Sequence, residues 1–179
     1  EAERAESARI HVLERIRSER AARARILDEM VPAAYQHCML DNYGCPPGDP
    51  RALARVRAWM ESTAPGIALV GPVGAGKSHL AYGVTRTLVK DGAHGIACRV
   101  PELLVELRGR IRRNEDADER IGELGSAWLL VLDDIGAERA TPYGLEVLER
   151  LAETRQRGEP WDRRRTILTA NAMPETWPG

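Results

Sequence analysis

One eight-residue run limits the folds open to this chain more than any other feature. Residues 71–78 read GPVGAGKS and fit the phosphate-loop pattern G-x-x-x-x-G-K-[ST] at every fixed position. The apolar run 66–70 before it is typical of a buried strand, and residues 78–90 after it are typical of a helix. Glycines let successive backbone N–H groups surround a β-phosphate, and the start of the helix adds partial positive charge. The run therefore predicts a binding site for a ligand that carries a triphosphate.

The side chains at the end of this run have distinct predicted tasks. Lys77 can reach the β- and γ-phosphate oxygens as a mobile point charge, and the Ser78 hydroxyl can join the shell of a Mg2+ ion. Only Lys77 and Lys90 are lysines among the 26 lysine and arginine residues, so a compact ammonium group has been chosen at this position. The predicted nucleotide contacts are Gly71, Pro72, Val73, Gly74, Ala75, Gly76, Lys77, Ser78 and His79.

Bulk composition excludes some classes of protein. The net charge of −1 means that any contact with nucleic acid must come from a local basic patch. No apolar run approaches the roughly 18 residues of a membrane span, so no membrane partner is expected. The three cysteines lack C-x-x-C spacing, and His37-Cys38 with Cys45 would be only half of a zinc site. We interpret the cysteines as free thiols and predict a cytoplasmic protein.

Strands and helices alternate after residue 65, as in α/β folds. Predicted strands cover residues 66–70, 95–100, 128–132 and 166–169, and predicted helices cover 51–62, 78–90, 101–113 and 143–157, with a charged stretch after 113. Unbroken apolar strands in this alternation favour a parallel sheet with helices on both faces and with the ligand at the carboxyl ends of the strands. Residues 1–30 are predicted to form an N-terminal amphipathic helix or linker, and residues 31–179 the core.

A second motif places acidic side chains where a metal would be needed. The apolar run 128–132 ends in Asp133-Asp134, the arrangement by which a Walker B strand delivers a carboxylate to the metal. Asp133 is predicted to hold Mg2+, and Asp134 to polarise the attacking water as general base. Asn171 follows the last predicted strand, where its amide could orient that water or contact the γ-phosphate, or could simply form a turn.

The order of these motifs resembles a known family. The segments GIALVGPVGAGKSHLAYGV, RVPELLVELR, WLLVLDDIGAE and RTILTANAMPETW resemble the DnaC/IstB-like branch of AAA+ ATPases, which is related to DnaA. The resemblance covers residues 30–177 and implies a P-loop NTPase of AAA+ type, with ATP or ADP as its ligand and Asn171 as sensor 1. Members often have Glu where this chain has Asp134, so hydrolysis is expected to be slow. The family's arginine finger and fifth strand lie beyond sensor 1, so the core is expected to be incomplete at its C-terminal end.

The resemblance also indicates where DNA and neighbouring subunits would bind. Arg108, Arg110, Arg112 and Arg113 lie in the region that faces single-stranded DNA in the initiator-like branch, although a solvated helix end would have the same composition. The run 163–165 and Arg155 are further candidate contacts with DNA or another subunit. In this branch the lead-in segment that precedes the core, here residues 30–43, closes over adenine. Tyr35 or Tyr43 could therefore stack on the base or pack in the core.

The predicted function follows from the resemblance. We expect an ATPase switch that forms a homo-oligomer on ATP binding, assembles on single-stranded DNA, and loads or remodels a replicative helicase. A neighbouring subunit would complete the hydrolytic site. The closest alternative is a transposition helper that delivers target DNA to a transposase, which the sequence does not separate from a loader. A small-molecule kinase is an alternative of another class, although no lid insertion is evident.

Overall fold

A computed structural model describes residues 30–44, 49–90, 94–136, 141–157 and 164–171, together with positions 11, 14, 15, 18, 22 and 27. The predicted N-terminal helix, Cys45 and Arg163 lie largely or wholly outside these residues. Two short 3-10 helices, Ala33–Tyr35 and Leu40–Asn42, open the described chain. The main elements are α1 (Pro50–Glu61), β1 (Gly66–Val70), α2 (Lys77–Lys90), β2 (Gly95–Arg99), α3 (Val100–Arg112), α4 (Ala117–Ser126), β3 (Leu129–Ile135), α5 (Pro142–Gln156) and β4 (Arg165–Ala170).

The four strands form one parallel sheet in the order β1-β4-β3-β2. Strand β4 therefore lies between β1 and β3, although it comes last in the chain. The order brings the carboxyl ends of β1, β3 and β4 to one edge, where the phosphate loop, the two aspartates and Asn171 follow. The predicted parallel sheet is confirmed, and its register defines the candidate site.

Helices cover both faces of the sheet because side chains of a buried strand alternate between the faces. In β3, Leu130 and Leu132 pack against α3, α4 and α5, whereas Leu129 and Val131 pack against α1 and α2. All four side chains are buried, which explains the unbroken apolar run in the sequence. The described parts of the chain contain no helix with the length and apolarity needed to cross a bilayer.

Helix α4 was not predicted, because its residues had been interpreted only as a charged stretch. It begins after Asp116, whose carboxylate accepts hydrogen bonds from the backbone N–H groups of Asp118 and Glu119. Ile121 and Leu124 then reach the core beneath a charged outer face. A ten-residue helix with two main anchors has a weak apolar period, so the cap was the more informative signal.

Arg165, the first residue of β4, is buried and so is not the surface contact that was predicted, and Arg155 and Arg164 also donate hydrogen bonds within the chain. The guanidinium of Arg165 is 3.9 Å from the ring of Trp59 and donates to the backbone carbonyls of Trp59, Met60 and Ser62. Arg155 donates to the carbonyls of residues 124, 125, 127 and 165, and Arg164 to those of residues 125 and 154. These side chains join α1, α4 and α5 to the sheet.

Replacing Arg165 with Met should destabilise the fold by about 3 kcal/mol, because it leaves buried carbonyl groups without a donor. Urea unfolding followed by circular dichroism measures the change. Arg157→Met is the matched control, since Arg157 is exposed and its ion pair among the described residues is with exposed Glu153. This substitution should change stability by less than about 0.5 kcal/mol. Equal stability of the two variants would show that the Arg165 contacts contribute nothing beyond packing.

Candidate nucleotide-binding site

The phosphate loop connects β1 to α2 through two glycines in left-handed conformations. Gly74 has φ 82° and Gly76 has φ 81°, values that side chains strongly disfavour. The backbone N–H of Gly71 donates to the carbonyl of Ala170 at 3.2 Å, which fixes the start of the loop against β4. The loop therefore has the strand–turn–helix setting that its sequence predicted.

Lys77 lies at the centre of the site. Its Nζ donates to the carbonyl oxygens of Gly71 at 2.8 Å and Pro72 at 2.9 Å, and to Oδ1 of Asn171 at 3.0 Å. The ammonium group thus points back into the loop and towards the tip of β4. This places the predicted phosphate-binding lysine beside the predicted sensor, 94 residues away in sequence.

Asp133 is buried at the end of β3, with 1% of its surface exposed. Its Oδ1 accepts hydrogen bonds from Ser78 Oγ at 2.8 Å and Thr169 Oγ1 at 2.6 Å, and its Oδ2 accepts one from the Tyr82 hydroxyl at 3.3 Å. Burial and the neighbouring Asp133 carboxylate raise the pKa of Tyr82, which keeps this hydroxyl a donor. Ser78 and Asp133, the two side chains predicted to hold Mg2+, are therefore already in contact.

Asp134 has an unusual backbone conformation at a point where the pairing of β3 with β4 is irregular. Its φ is 66°, and the register between β3 and β4 shifts at this point. Its N–H donates to Thr169 Oγ1 at 2.8 Å, and its carboxylate accepts hydrogen bonds from Arg99 at 2.9 Å and Asn171 Nδ2 at 3.3 Å. A non-glycine residue in this conformation costs energy, so the surrounding contacts hold it there.

Sequence reasoning missed three residues of this site. Arg99 ends β2, lies opposite Asp133 in the β2–β3 register, and bridges Asp134 and Glu102. The hydrogen bonds to Asp134 and Glu102 raise the pKa of Arg99. Thr169 and Tyr82 complete the contacts of Asp133. Arg99 and Thr169 lie in segments that resemble the family, but their contacts with the aspartates depend on the strand order, which the sequence does not show.

The lead-in segment lies over the phosphate loop. The Tyr43 hydroxyl donates to the carbonyl of Ala75 at 3.4 Å, and a Cβ at Gly76 would be 2.7 Å from the Tyr43 ring. Tyr43 also contacts the ring of His79 edge-on. Tyr35 instead stacks on Tyr82, with 4.8 Å between ring centroids. Tyr43 therefore touches the loop itself, whereas Tyr35 has a core neighbour, and both of their predicted roles towards adenine remain predictions.

A cavity of about 420 Å³ connects these groups. Its walls include Lys77, Ser78, Asp133, Asp134 and Asn171, so the predicted catalytic and metal-binding side chains meet in one place. One ammonium group lies beside two carboxylates, a hydroxyl and an amide. Such a set can bind an anionic phosphate chain and supplies the oxygen donors that Mg2+ prefers.

The predicted DNA-contacting arginines lie on or just after α3, away from these walls. Arg108 stacks over Tyr143, with 5.1 Å between its guanidinium carbon and the ring centroid. Arg110 pairs with Glu106, and Arg113 pairs with Glu115. Arg112 is exposed, and the structure records no ion pair or hydrogen bond between its side chain and the described residues. Three of the four side chains thus have intramolecular contacts, and DNA binding remains a prediction.

Comparison with known sequences identifies the family. Residues 6–178 match the IstB-like ATP binding protein family. The chain is 25% identical over 146 residues to the replicative helicase loader DnaC of Escherichia coli (strain K12), covering 79% of this chain and 58% of that protein. It is 31% identical over 126 residues to an insertion sequence ATP-binding protein of Sinorhizobium fredii (strain NBRC 101917 / NGR234), covering 70% and 40%. The chain spans about half the length of the curated relatives it matches.

Solved structures show the same fold. A crystal structure of the DnaC helicase loader is 26% identical, with a TM-score of 0.65 over 79% of this chain and 81% of that chain. The replication initiator DnaA bound to AMPPCP and single-stranded DNA is 20% identical, with a TM-score of 0.70 over 83% and 45%, which supports the fold alone. The predicted AAA+ type of P-loop fold is confirmed, and the chain belongs to the family of IstB-like ATP binding proteins.

Proposed function

We propose that this protein is a cytoplasmic, slowly hydrolysing ATPase switch that oligomerises with ATP and loads or remodels a replicative helicase on DNA. The observation that best supports it is the convergence of Lys77, Ser78, Asp133 and Asn171 from three separate elements. Two hydrogen bonds define this convergence: Ser78 contacts Asp133 at 2.8 Å, and Lys77 contacts Asn171 at 3.0 Å. Similarity to DnaC supports the helicase as partner.

The side chains divide the work of binding between them. Lys77 exchanges the carbonyls of Gly71 and Pro72 for the β- and γ-phosphate oxygens, while the glycine-rich backbone supplies N–H donors. Ser78 and Asp133 would hold Mg2+, since their oxygens already converge. When bound, that ion neutralises phosphate charge. Thr169 and Tyr82 orient the Asp133 carboxylate.

Asp134 and Asn171 position the attacking water. In the structure Arg99 donates to one oxygen of the Asp134 carboxylate, and the positive charge of its guanidinium makes this carboxylate a weaker base towards water. Asn171 touches both Lys77 and Asp134, and it links the phosphate-binding group to the base. Slow turnover fits such a weakened base and suits a switch.

Thr169→Val should lower the ATP hydrolysis rate about tenfold, because it removes the hydroxyl that orients Asp133 and binds the Asp134 N–H. It should also cost about 1–3 kcal/mol of stability by leaving that N–H without an acceptor. Thr169→Ser keeps the hydroxyl and should restore both properties, as measured by phosphate release and urea unfolding. A serine variant as impaired as the valine variant would assign Thr169 a packing role.

Helicase loading and transposition help are the two candidate roles for the switch. The insertion sequence relative has the higher identity, 31% against 25%, whereas DnaC matches over the longer stretch, 146 against 126 residues. We favour loading because the DnaC structure is matched over 81% of its length.

The discriminating experiment uses the complete gene product with the replicative helicase of the same organism and circular single-stranded DNA. We expect ATP-dependent transfer of helicase onto the circle, together with ATP-dependent oligomers in analytical ultracentrifugation. Stimulation of a neighbouring transposase without helicase binding would reassign the partner. A phosphorylated small-molecule product would overturn the switch itself.

Single-stranded DNA is proposed to contact α3 through Arg112, since this side chain is exposed and forms no ion pair with the described residues. Arg112→Ala should weaken DNA affinity several-fold and reduce the slope of log affinity against log salt by about 0.7, the loss of one phosphate contact. Fluorescence anisotropy at several salt concentrations measures both. Arg157→Ala, an exposed arginine after α5, is the control, and the same salt slope for both variants would return Arg112 to the solvated surface.

A further inference from the structure

Three side chains with metal-binding chemistry meet beside the phosphate loop. His37, Cys38 and His79 each present one ligand atom, and these atoms lie within 4.8 Å of one another. His37 and Cys38 follow the first 3-10 helix, whereas His79 is in the first turn of α2. All three line the same cavity as Lys77. The cluster therefore joins the lead-in segment to the phosphate-loop helix.

The distances suit a transition metal after small side-chain rotations. Cys38 Sγ is 3.8 Å from His37 Nε2. Zinc bond lengths of about 2.3 Å to sulfur and 2.0–2.1 Å to nitrogen place tetrahedral ligand atoms about 3.4–3.6 Å apart. The adjacent pair is thus near the required separation. A ligand atom 4.8 Å away would have to approach by about 1.2–1.4 Å.

Hydrogen bonds fix the protonation of His79 in the form that a metal requires. Its Nε2 lies 2.9 Å from the Met39 carbonyl oxygen and 3.0 Å from Asn42 Oδ1. The Asn42 oxygen also accepts from the Met39 N–H, while Asn42 Nδ2 donates to the His37 carbonyl, so the orientation of this amide is set. Both neighbours of Nε2 are acceptors, and Nε2 therefore carries the hydrogen. A metal would then have to bind Nδ1, with the Met39 carbonyl as outer support.

We propose that His37, Cys38 and His79 form a binding site for a zinc-class divalent ion. Two imidazoles and one thiolate with a fourth position open to the cavity match a three-ligand zinc site, and they do not suit Mg2+, which prefers oxygen donors. The bound ion fastens the lead-in segment to α2. Binding requires neither ATP nor its hydrolysis, so the inference is independent of the proposed function.

Cobalt spectroscopy on a single-thiol protein tests the site. The chain has three cysteines, so Cys45→Ser with Cys98→Ser leaves Cys38 as the only thiol. Adding Co2+ should give the visible bands of tetrahedral coordination and a thiolate-to-cobalt charge-transfer band. Adding Cys38→Ser should abolish the charge-transfer band and lower competitive Zn2+ affinity about 100-fold.

Thermal unfolding provides a second measurement. Zn2+ should raise the Tm of the single-thiol protein, because an ion that binds only the folded state stabilises it. This shift should disappear in the His37→Ala and Cys38→Ser variants, while circular dichroism, measured separately, shows that each variant is folded. A single-thiol protein without the charge-transfer band, or Zn2+ affinity that Cys38→Ser leaves unchanged, would overturn the site. ATP hydrolysis that persists in that case would leave the proposed function intact.

Discussion

Replacing Lys77 with alanine is expected to lower ATP affinity about 100-fold. A lysine that donates to charged phosphate oxygens contributes about 1.5–3 kcal/mol, so its removal reduces binding by one to two orders of magnitude. The structure adds a second reason, because the same ammonium group holds the Gly71 and Pro72 carbonyls and so shapes the loop. Isothermal titration calorimetry with a non-hydrolysable ATP analogue measures the loss.

The only other lysine provides the control for this prediction. Lys90 is the last residue of the fourteen-residue helix α2. Lys90→Ala therefore removes the same charge as Lys77→Ala, but outside the phosphate loop. It should leave ATP affinity within about twofold, since a substitution away from the site loses no phosphate contact. Equal ATP affinities of the two variants would show that the phosphate loop does not bind ATP through Lys77.

Replacing Asp134 with asparagine should slow ATP hydrolysis at least about 100-fold while ATP affinity changes little. A positioned general base accounts for about 10²–10⁴ of a rate, and an amide cannot accept the proton. Binding should persist because Asp133 and Ser78, rather than Asp134, form the predicted Mg2+ ligands. Single-turnover phosphate release and ATP titration separate the two effects.

Glu102 offers a matched control for Asp134, because both carboxylates accept hydrogen bonds from Arg99. Glu102→Gln alters the same guanidinium without touching the predicted base, and hydrolysis should stay within about threefold of the starting protein. If Asp134→Asn hydrolyses ATP as fast as Glu102→Gln, another group must activate the water.

The parts of the fold that could be predicted are those whose signal is local. The phosphate loop, the Asp133-Asp134 pair and the apolar strands are continuous in sequence, and all of the predicted strands were found. The boundaries differed most at β3, which extends through Asp134 to Ile135. An acidic pair at the end of an apolar run resembles the start of a loop, and only pairing with β4 keeps these residues in the sheet.

The rest depended on contacts between distant residues. Arg99 reaches Asp134 because β2 is the neighbour of β3, and Thr169 reaches both aspartates because β4 is the other neighbour. Arg165 illustrates a charged residue that was wrongly predicted to lie on the surface. A run of charges is usually a solvated surface, but Arg165 is 8% exposed because backbone carbonyls and the Trp59 ring replace water around it.

The position of β4 has a consequence for when the protein can bind nucleotide during its synthesis. This strand is last in sequence among the four but fills the gap between β1 and β3, so the earlier strands cannot close the sheet without it. It also supplies Thr169 and the adjoining Asn171, which complete the aspartate and lysine contacts. During synthesis, we therefore expect β1 to stay apart from the paired strands β2 and β3 until β4 is available. We therefore expect nucleotide binding to become possible only after β4 has been synthesised.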